Sequence, residues 1–257
     1  ARPLFLRLLN ASQNARGGCR AALPTVRSPR PLCVISHYPR RVSLHRPARV
    51  VVLISGGGSN LAALLSACDD AAYGAQVVGV GADRFSATGL ALATDRGIPT
   101  FVERVSDYAE RVDFDRALTA QVAALEPDLV VSAGFLKLVG ADFLAAFAGR
   151  YLNTHNSLLP AFPGMQAPAD ALAHGVKVAG ATLFVVDEGV DAGPIIAQTV
   201  VPVLAGDDLE TLTERIKVAE RAQLVDVVGQ MARDGWEITD RVVRLGAVGD
   251  GRMNLGS

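Results

Sequence analysis

The unbroken apolar run Val50-Val51-Val52-Leu53-Ile54 has no polar alternation, which predicts a strand buried on both faces. Similar segments predict strands over 49–54, 76–82, 99–103 and 128–132. Between and after them, 60–71, 88–96, 107–125 and 141–147 predict helices. This βα alternation implies an α/β fold, a doubly wound, mainly parallel sheet with helices on both faces. Its N-terminal half is Rossmann-like, wound as a mononucleotide-binding unit. Beyond Tyr151-Leu152-Asn153 comes a loop punctuated by Pro160, Pro163 and Pro168, with a short helix at 167–174. Two apolar stretches, 177–187 and 193–203, flank the loop 188–192 and predict a hairpin-like pair of strands. A long amphipathic helix is expected over 209–233. The alternating tail 236–245 suits an edge strand or a hairpin.

In open parallel sheets, ligands lie beyond the carboxyl ends of the strands. Two segments with suggestive chemistry fall there. The first is Ser55-Gly56-Gly57-Gly58-Ser59-Asn60, between the first strand and the first helix. A glycine turn running into a helix N-terminus presents backbone N–H groups to an anion. No Lys-Ser/Thr follows, as a P-loop requires, and the spacing is not Gly-x-Gly-x-x-Gly. A monophosphate therefore suits the loop better than a dinucleotide or a triphosphate, and a plain tight turn is the alternative. The second segment is Asn153-Thr154-His155-Asn156-Ser157, together with Asp191 in the run 187–194. An amide, an imidazole and a carboxylate suit acyl transfer, if the fold gathers them. A histidine alone would be an ordinary core or surface residue.

Composition then divides the chain. It has 257 residues, half of them apolar, and no stretch approaches the roughly 18 apolar residues of a membrane span. The net charge of −1 hides an asymmetry. Ten of the 25 basic residues lie in 1–49 with no acid, leaving 15 against all 26 acids in the remainder. Residues 1–48 thus form an Arg/Pro-rich extension, open to three readings: an organelle transit peptide, a basic tail, or upstream sequence translated from an early start. The body, 49–246, divides into a half that carries the glycine turn, 49–148, and a half that carries the histidine segment, 149–246, followed by a tail, 247–257. Cys19, Cys33 and Cys68 have neither metal-ligand nor disulfide spacing. They predict a reducing, cytoplasmic setting without a metal. The acidic body argues against nucleic acid as a partner.

Four segments together are specific: the strand and glycine turn 50–60, Ser-Ala-Gly-Phe-Leu-Lys-Leu at 132–138, Asn-Thr-His-Asn-Ser-Leu-Leu-Pro-Ala-Phe-Pro-Gly at 153–164, and Asp-Glu-Gly-Val-Asp-Ala-Gly-Pro-Ile-Ile at 187–196. In this order, over about 49 to 246, they resemble the folate-dependent phosphoribosylglycinamide formyltransferases of purine synthesis. The resemblance implies the formyltransferase fold. It implies formyl transfer from 10-formyltetrahydrofolate to the amine of glycinamide ribonucleotide, by a monomer or homodimer. Asn153 would donate to the oxyanion, His155 would assist it or shuttle protons, and Asp191 would orient and charge the imidazole. Gly58, Ser59 and Asn60 would hold the phosphate and Glu220 the ribose. Arg111, Leu136, Lys137, Leu138, Val139 and Asp187 would form the folate side. Without the resemblance, Glu220 and Arg111 read as solvated helix charges, and Leu136 and Leu138 as core or pocket wall. Ser157, beside His155, reads as a structural loop residue and not as a nucleophile.

The chain also departs from the family pattern. Asn156 stands where proline is usual, Gln166 where histidine or asparagine is common, and Phe184 where histidine is frequent. A charge usual near Ala169 is missing. These positions are expected to border the folate site. The alternatives are a 10-formyltetrahydrofolate deformylase, a sugar-nucleotide formyltransferase and a non-catalytic relative that binds a phosphoribosyl metabolite.

Overall fold

The computed structural model describes residues 47–246. The readings of the extension before residue 47 and of the tail 247–257 lie outside the described residues. Ala48, placed at the end of the extension by sequence, is the first residue of the first strand. A seven-stranded sheet is built from β1 (Ala48–Ile54), β2 (Ala75–Ala82), β3 (Thr100–Val102), β4 (Leu129–Ser132), β5 (Tyr151–His155), β6 (Val178–Val185) and β7 (Ile195–Pro202). Its strand order is β3-β2-β1-β4-β5-β6-β7. The pairs from β3 to β5 are parallel, and β5–β6 and β6–β7 are antiparallel. This is the expected mainly parallel sheet.

Among the described residues the α-helices are α1 (Ser59–Ala67), α2 (Leu90–Thr94), α3 (Arg111–Ala123), α4 (Ala141–Ala146), α5 (Ala167–Ala173) and α6 (Leu209–Asp234). Five are shorter than their apolar patterns suggested, α4 and α5 by a single residue. The stretch 60–71 breaks because Asp70 caps a separate 3-10 turn, Ala71–Tyr73, by accepting from the Ala72 N–H. The stretch 107–125 loses its start because 105–107 is likewise a 3-10 turn. Residues 236–245 are a hairpin, β8 (Trp236–Thr239) and β9 (Val242–Leu245), forming a sheet of their own instead of an edge of the main one.

Both faces of the sheet are packed, which explains the continuous apolar run in β1. Val50, Val52 and Ile54 join a core with Leu61 and Leu64 of α1 and Leu224 and Val228 of α6. Val51 and Leu53 point the other way, onto Phe114 and Leu118 of α3 and Phe143 of α4. A smaller cluster seats Leu212 and Ile216 of α6 on Ala179 and Ala181 of β6. Cys68, capping α1, is half-buried beside the first core, and burial pushes its thiol up from the ordinary range. Such a thiol is a packing residue and not a nucleophile. No helix among the described residues is long and apolar enough to cross a membrane.

The entry to α6 matters because that helix reaches the cavity. Asp208 caps it through the Thr211 N–H, at 2.8 Å. The Arg215 guanidinium, gripping Asp207 through two nitrogens, and the Leu204 N–H bring the Asp207 carboxyl from 3.8 down to about 2. A depressed carboxyl contributes stability above its unfolded pKa and loses it as pH falls through the folded value. The melting-temperature gap between wild type and Asp207→Asn should therefore hold steady down to about pH 4 and close toward about pH 2. A gap unchanged across that window would show that the pair adds nothing pH-dependent to stability.

Candidate active site

The strand order reverses between β1 and β4, and the loops after those two strands open the crevice at their carboxyl ends. A cavity of about 750 Å³ lies there, lined by the glycine turn, the 132–139 segment, the end of β5, the 187–191 loop and one face of α6. The two segments that sequence placed at the strand ends therefore meet, with Asp191 beside them. Gly58 precedes α1 with φ of 71°, in the left-handed region that favours glycine. Gly89, before α2, lets that turn lie close: its N–H donates to the Gly56 carbonyl at 3.0 Å, and a Cβ there would stand 3.0 Å from the Gly58 Cα.

Glu220 is not a solvated helix charge. It is buried on the cavity side of α6, and its Oε1 accepts from Asn60 Nδ2 at 2.6 Å and from Thr154 Oγ1 at 2.8 Å. Its Oε2 is buried with no hydrogen-bond partner. A carboxylate oxygen kept from both water and protein donors is costly unless a ligand supplies the donor. Lys217, one turn earlier on α6, also lines the cavity. The sequence reading missed it, although its three-residue spacing from Glu220 puts both on one helix face.

His155 ends β5, between Thr182 on β6 and the loop that follows. Its Nε2 donates to the Phe162 carbonyl at 2.9 Å, since a carbonyl can only accept. That bond leaves Nδ1 facing Asp191 Oδ2 at 3.7 Å, an ion-pair distance when the ring is charged, though longer than a direct hydrogen bond. The same Oδ2 accepts from the Gly164 N–H at 2.8 Å, which pins the carboxylate. Phe162 and Asp191 both take left-handed backbone, at φ 52° and 50°. Such a conformation is a true outlier for a bulky residue, and here it accompanies the carbonyl that holds the imidazole. Asn153, two residues earlier on the same strand, lies between Ser132 and Phe184 and lines the cavity with His155 and Asp191. Ser157 is buried and donates to the Ala161 carbonyl at 2.6 Å, the loop-holding contact of a structural residue.

The opposite side of the crevice is held from below. Ser55 Oγ accepts from the Leu136 N–H at 2.8 Å. The same hydroxyl bonds to Asp83, a buried carboxylate that also takes two Arg84 nitrogens and faces Lys137 at 3.5 Å. Burial works against the charged Asp83, but the Arg84 and Ser55 hydrogen bonds, with the Arg84 and Lys137 charges, outweigh it and hold the carboxyl below its usual value. Leu136, Lys137, Leu138, Val139 and Asp187 all line the cavity. Arg111 does not. Its guanidinium lies over the Phe114 ring and donates to the carbonyl of Leu138, so it props a residue of the wall. Exposed Leu138, Met165 and Val190 give the mouth an apolar rim. Of the departures from the family pattern, Asn156 and Phe184 line the cavity, whereas Gln166 is exposed and outside it. Tyr151 also lines the cavity, but burial pushes its phenol up to about 12 against the Ser132 hydrogen bond, so it stays neutral near pH 7.

Residues 48–228 match the family model described as formyl transferase. The chain is 52% identical over 208 residues to a phosphoribosylglycinamide formyltransferase of Mycobacterium tuberculosis, spanning 81% of this chain and 96% of that one. It is 46% identical over 177 residues to the trifunctional purine biosynthetic protein adenosine-3 of Drosophila melanogaster, 68% of this chain but 13% of that much longer one. Among solved structures, glycinamide ribonucleotide transformylase 1 from Symbiobacterium toebii superposes with a TM-score of 0.76 at 42% identity, covering 79% of this chain and 95% of its own.

Proposed function

The chain belongs to the formyl transferase family, and on that premise we propose that it formylates the amine of glycinamide ribonucleotide from 10-formyltetrahydrofolate, a step of purine synthesis. The observation that carries the choice of acceptor is the buried, partnerless Oε2 of Glu220 beside the glycine turn. A ribose offers hydroxyl donors to that oxygen, and the N–H groups of Gly58, Ser59 and Asn60, with Lys217, suit the attached phosphate. A deformylase, whose acceptor is water, has no use for these groups. The apolar rim at Leu138, Met165 and Val190 suits the flat rings of a folate, and backbone groups of 136–139 suit the polar edge of its pterin.

In this reading the ribonucleotide amine attacks the formyl carbon, forming a C–N bond and placing negative charge on the formyl oxygen. Asn153 donates to that oxygen and holds it where charge develops. His155, fixed at Nε2 by Phe162 and facing Asp191 at Nδ1, moves protons in the site: the amine loses one and the departing folate nitrogen gains one as its bond to carbon breaks. Both substrates must lie side by side, and positioning supplies much of the acceleration.

Glu220→Gln tests the acceptor site. The amide keeps an oxygen for Asn60 and Thr154 but replaces the lone acceptor by a donor. A hydrogen bond to a charged group contributes ~1.5–3 kcal/mol, so ribonucleotide binding measured by calorimetry should weaken roughly 10- to 100-fold. Unchanged affinity would remove the ribose assignment.

A further inference from the structure

The turn of the C-terminal hairpin lies far from the cavity in sequence, but it reaches the loop that carries Asp191. Thr239 pairs with Val242, so Asp240 and Arg241 form a two-residue turn, with φ of 48° and 75°. Two successive positive φ values define the turn type in which glycine strongly prefers the second position. This chain places an arginine there, in a conformation that disfavours any Cβ. The hairpin beneath it is firmly seated. Trp236 and Ile238 are buried in the main core, and the Trp236 indole N–H donates to the Gly149 carbonyl at 3.0 Å.

From this base the Arg241 guanidinium spans the whole 188–192 loop. One nitrogen donates to the Ala192 carbonyl, and another faces Asp187 Oδ2 at 3.6 Å. Asp187 in turn accepts from the Gly189 N–H through Oδ1, at 2.9 Å. Both ends of the loop are therefore held by one side chain, and Asp191 lies immediately before one of the anchored residues. We propose that Arg241 is a positioning residue for the reaction, bracing the 187–192 loop so that Asp191 stays aimed at His155. The matched family region ends at residue 228, before this hairpin begins. The proposal rests on the catalytic role given to Asp191 above.

The test is a cycle of four proteins: wild type, Arg241→Gly, Asp191→Asn and the double variant, with turnover, ribonucleotide affinity and melting temperature measured for each. Glycine suits the turn, so Arg241→Gly should keep its melting temperature at or above wild type. Its kcat should fall about 10- to 100-fold, the scale of a remote change that misplaces a catalytic group. Ribonucleotide affinity should not change, because that subsite is built from the glycine turn and α6. In the Asp191→Asn background the glycine substitution should cost nothing further, the signature of two residues acting as one unit. Arg241→Lys should recover part of the rate, and Arg244→Ala, which breaks the hairpin's own pair with Glu237, should leave it unchanged. Wild-type turnover in Arg241→Gly would overturn the proposal. So would a loss that persists in the double variant, or one accompanied by weaker ribonucleotide binding and a lower melting temperature. Wild-type turnover in Asp191→Asn alone would instead overturn the reading on which the proposal stands, and the proposal with it.

Discussion

His155→Ala should lower kcat by roughly 10²–10⁴-fold, the range over which a positioned general acid–base group acts. Among the described residues no second imidazole lines the cavity. The imidazole is held at the end of β5 by the Phe162 carbonyl and faces Asp191, and Tyr151 is too weak an acid to take its place near pH 7. His174, the other histidine of the body, sits at the end of α5 with Nδ1 against the Asp170 carbonyl. Ribonucleotide affinity should be almost unaffected, because its proposed contacts come from the glycine turn and α6. Preserved affinity would therefore show that the variant is folded, and the rate would report on chemistry alone. Near wild-type turnover in this variant would remove His155 from the mechanism.

Asn153→Ala should cost about 10²–10³ in kcat, as removal of one oxyanion donor does. The residue lies mid-sheet, paired in register with Ser132 on β4 and Phe184 on β6, so the backbone around it is fixed by its neighbours. An interaction made chiefly in the transition state lowers kcat and kcat/KM together. The account therefore predicts little change in KM for either substrate. A raised KM with normal kcat would make Asn153 a ground-state binding residue instead.

How much of this was legible in sequence depended on how local each cause is. β1 and β4 could be read directly because burial on both faces leaves uninterrupted apolar runs, and the glycine turn because a strand, three glycines and a helix start are adjacent. The ends of α1 and α3 were misread: apolar spacing continues past them, while the breaks come from the Asp70 cap and a 3-10 turn. Asn153 and His155 stand two apart in one segment, so sequence grouped them, but the 3.7 Å approach of Asp191 depends on how the β6–β7 connection folds back. Glu220 was recognised through family resemblance alone, since nothing in the α6 pattern marks it as buried. Lys217 went unread for the same reason, though it shares the helix face. Arg111 was placed on the folate side by resemblance alone, and its contact with the Leu138 carbonyl depends on how α3 docks. The reach of Arg241 to Ala192 joins residues 49 apart through two separate sheets, and no local pattern reports such a contact.

The central claim is that formyl leaves the folate only when the ribonucleotide amine takes it. The most direct measurement mixes the protein with 10-formyltetrahydrofolate, with and without glycinamide ribonucleotide, and follows tetrahydrofolate and formylated amine together. The account predicts release that requires the amine and matches it one for one. Release at the same rate without the amine would contradict it and make the protein a hydrolase.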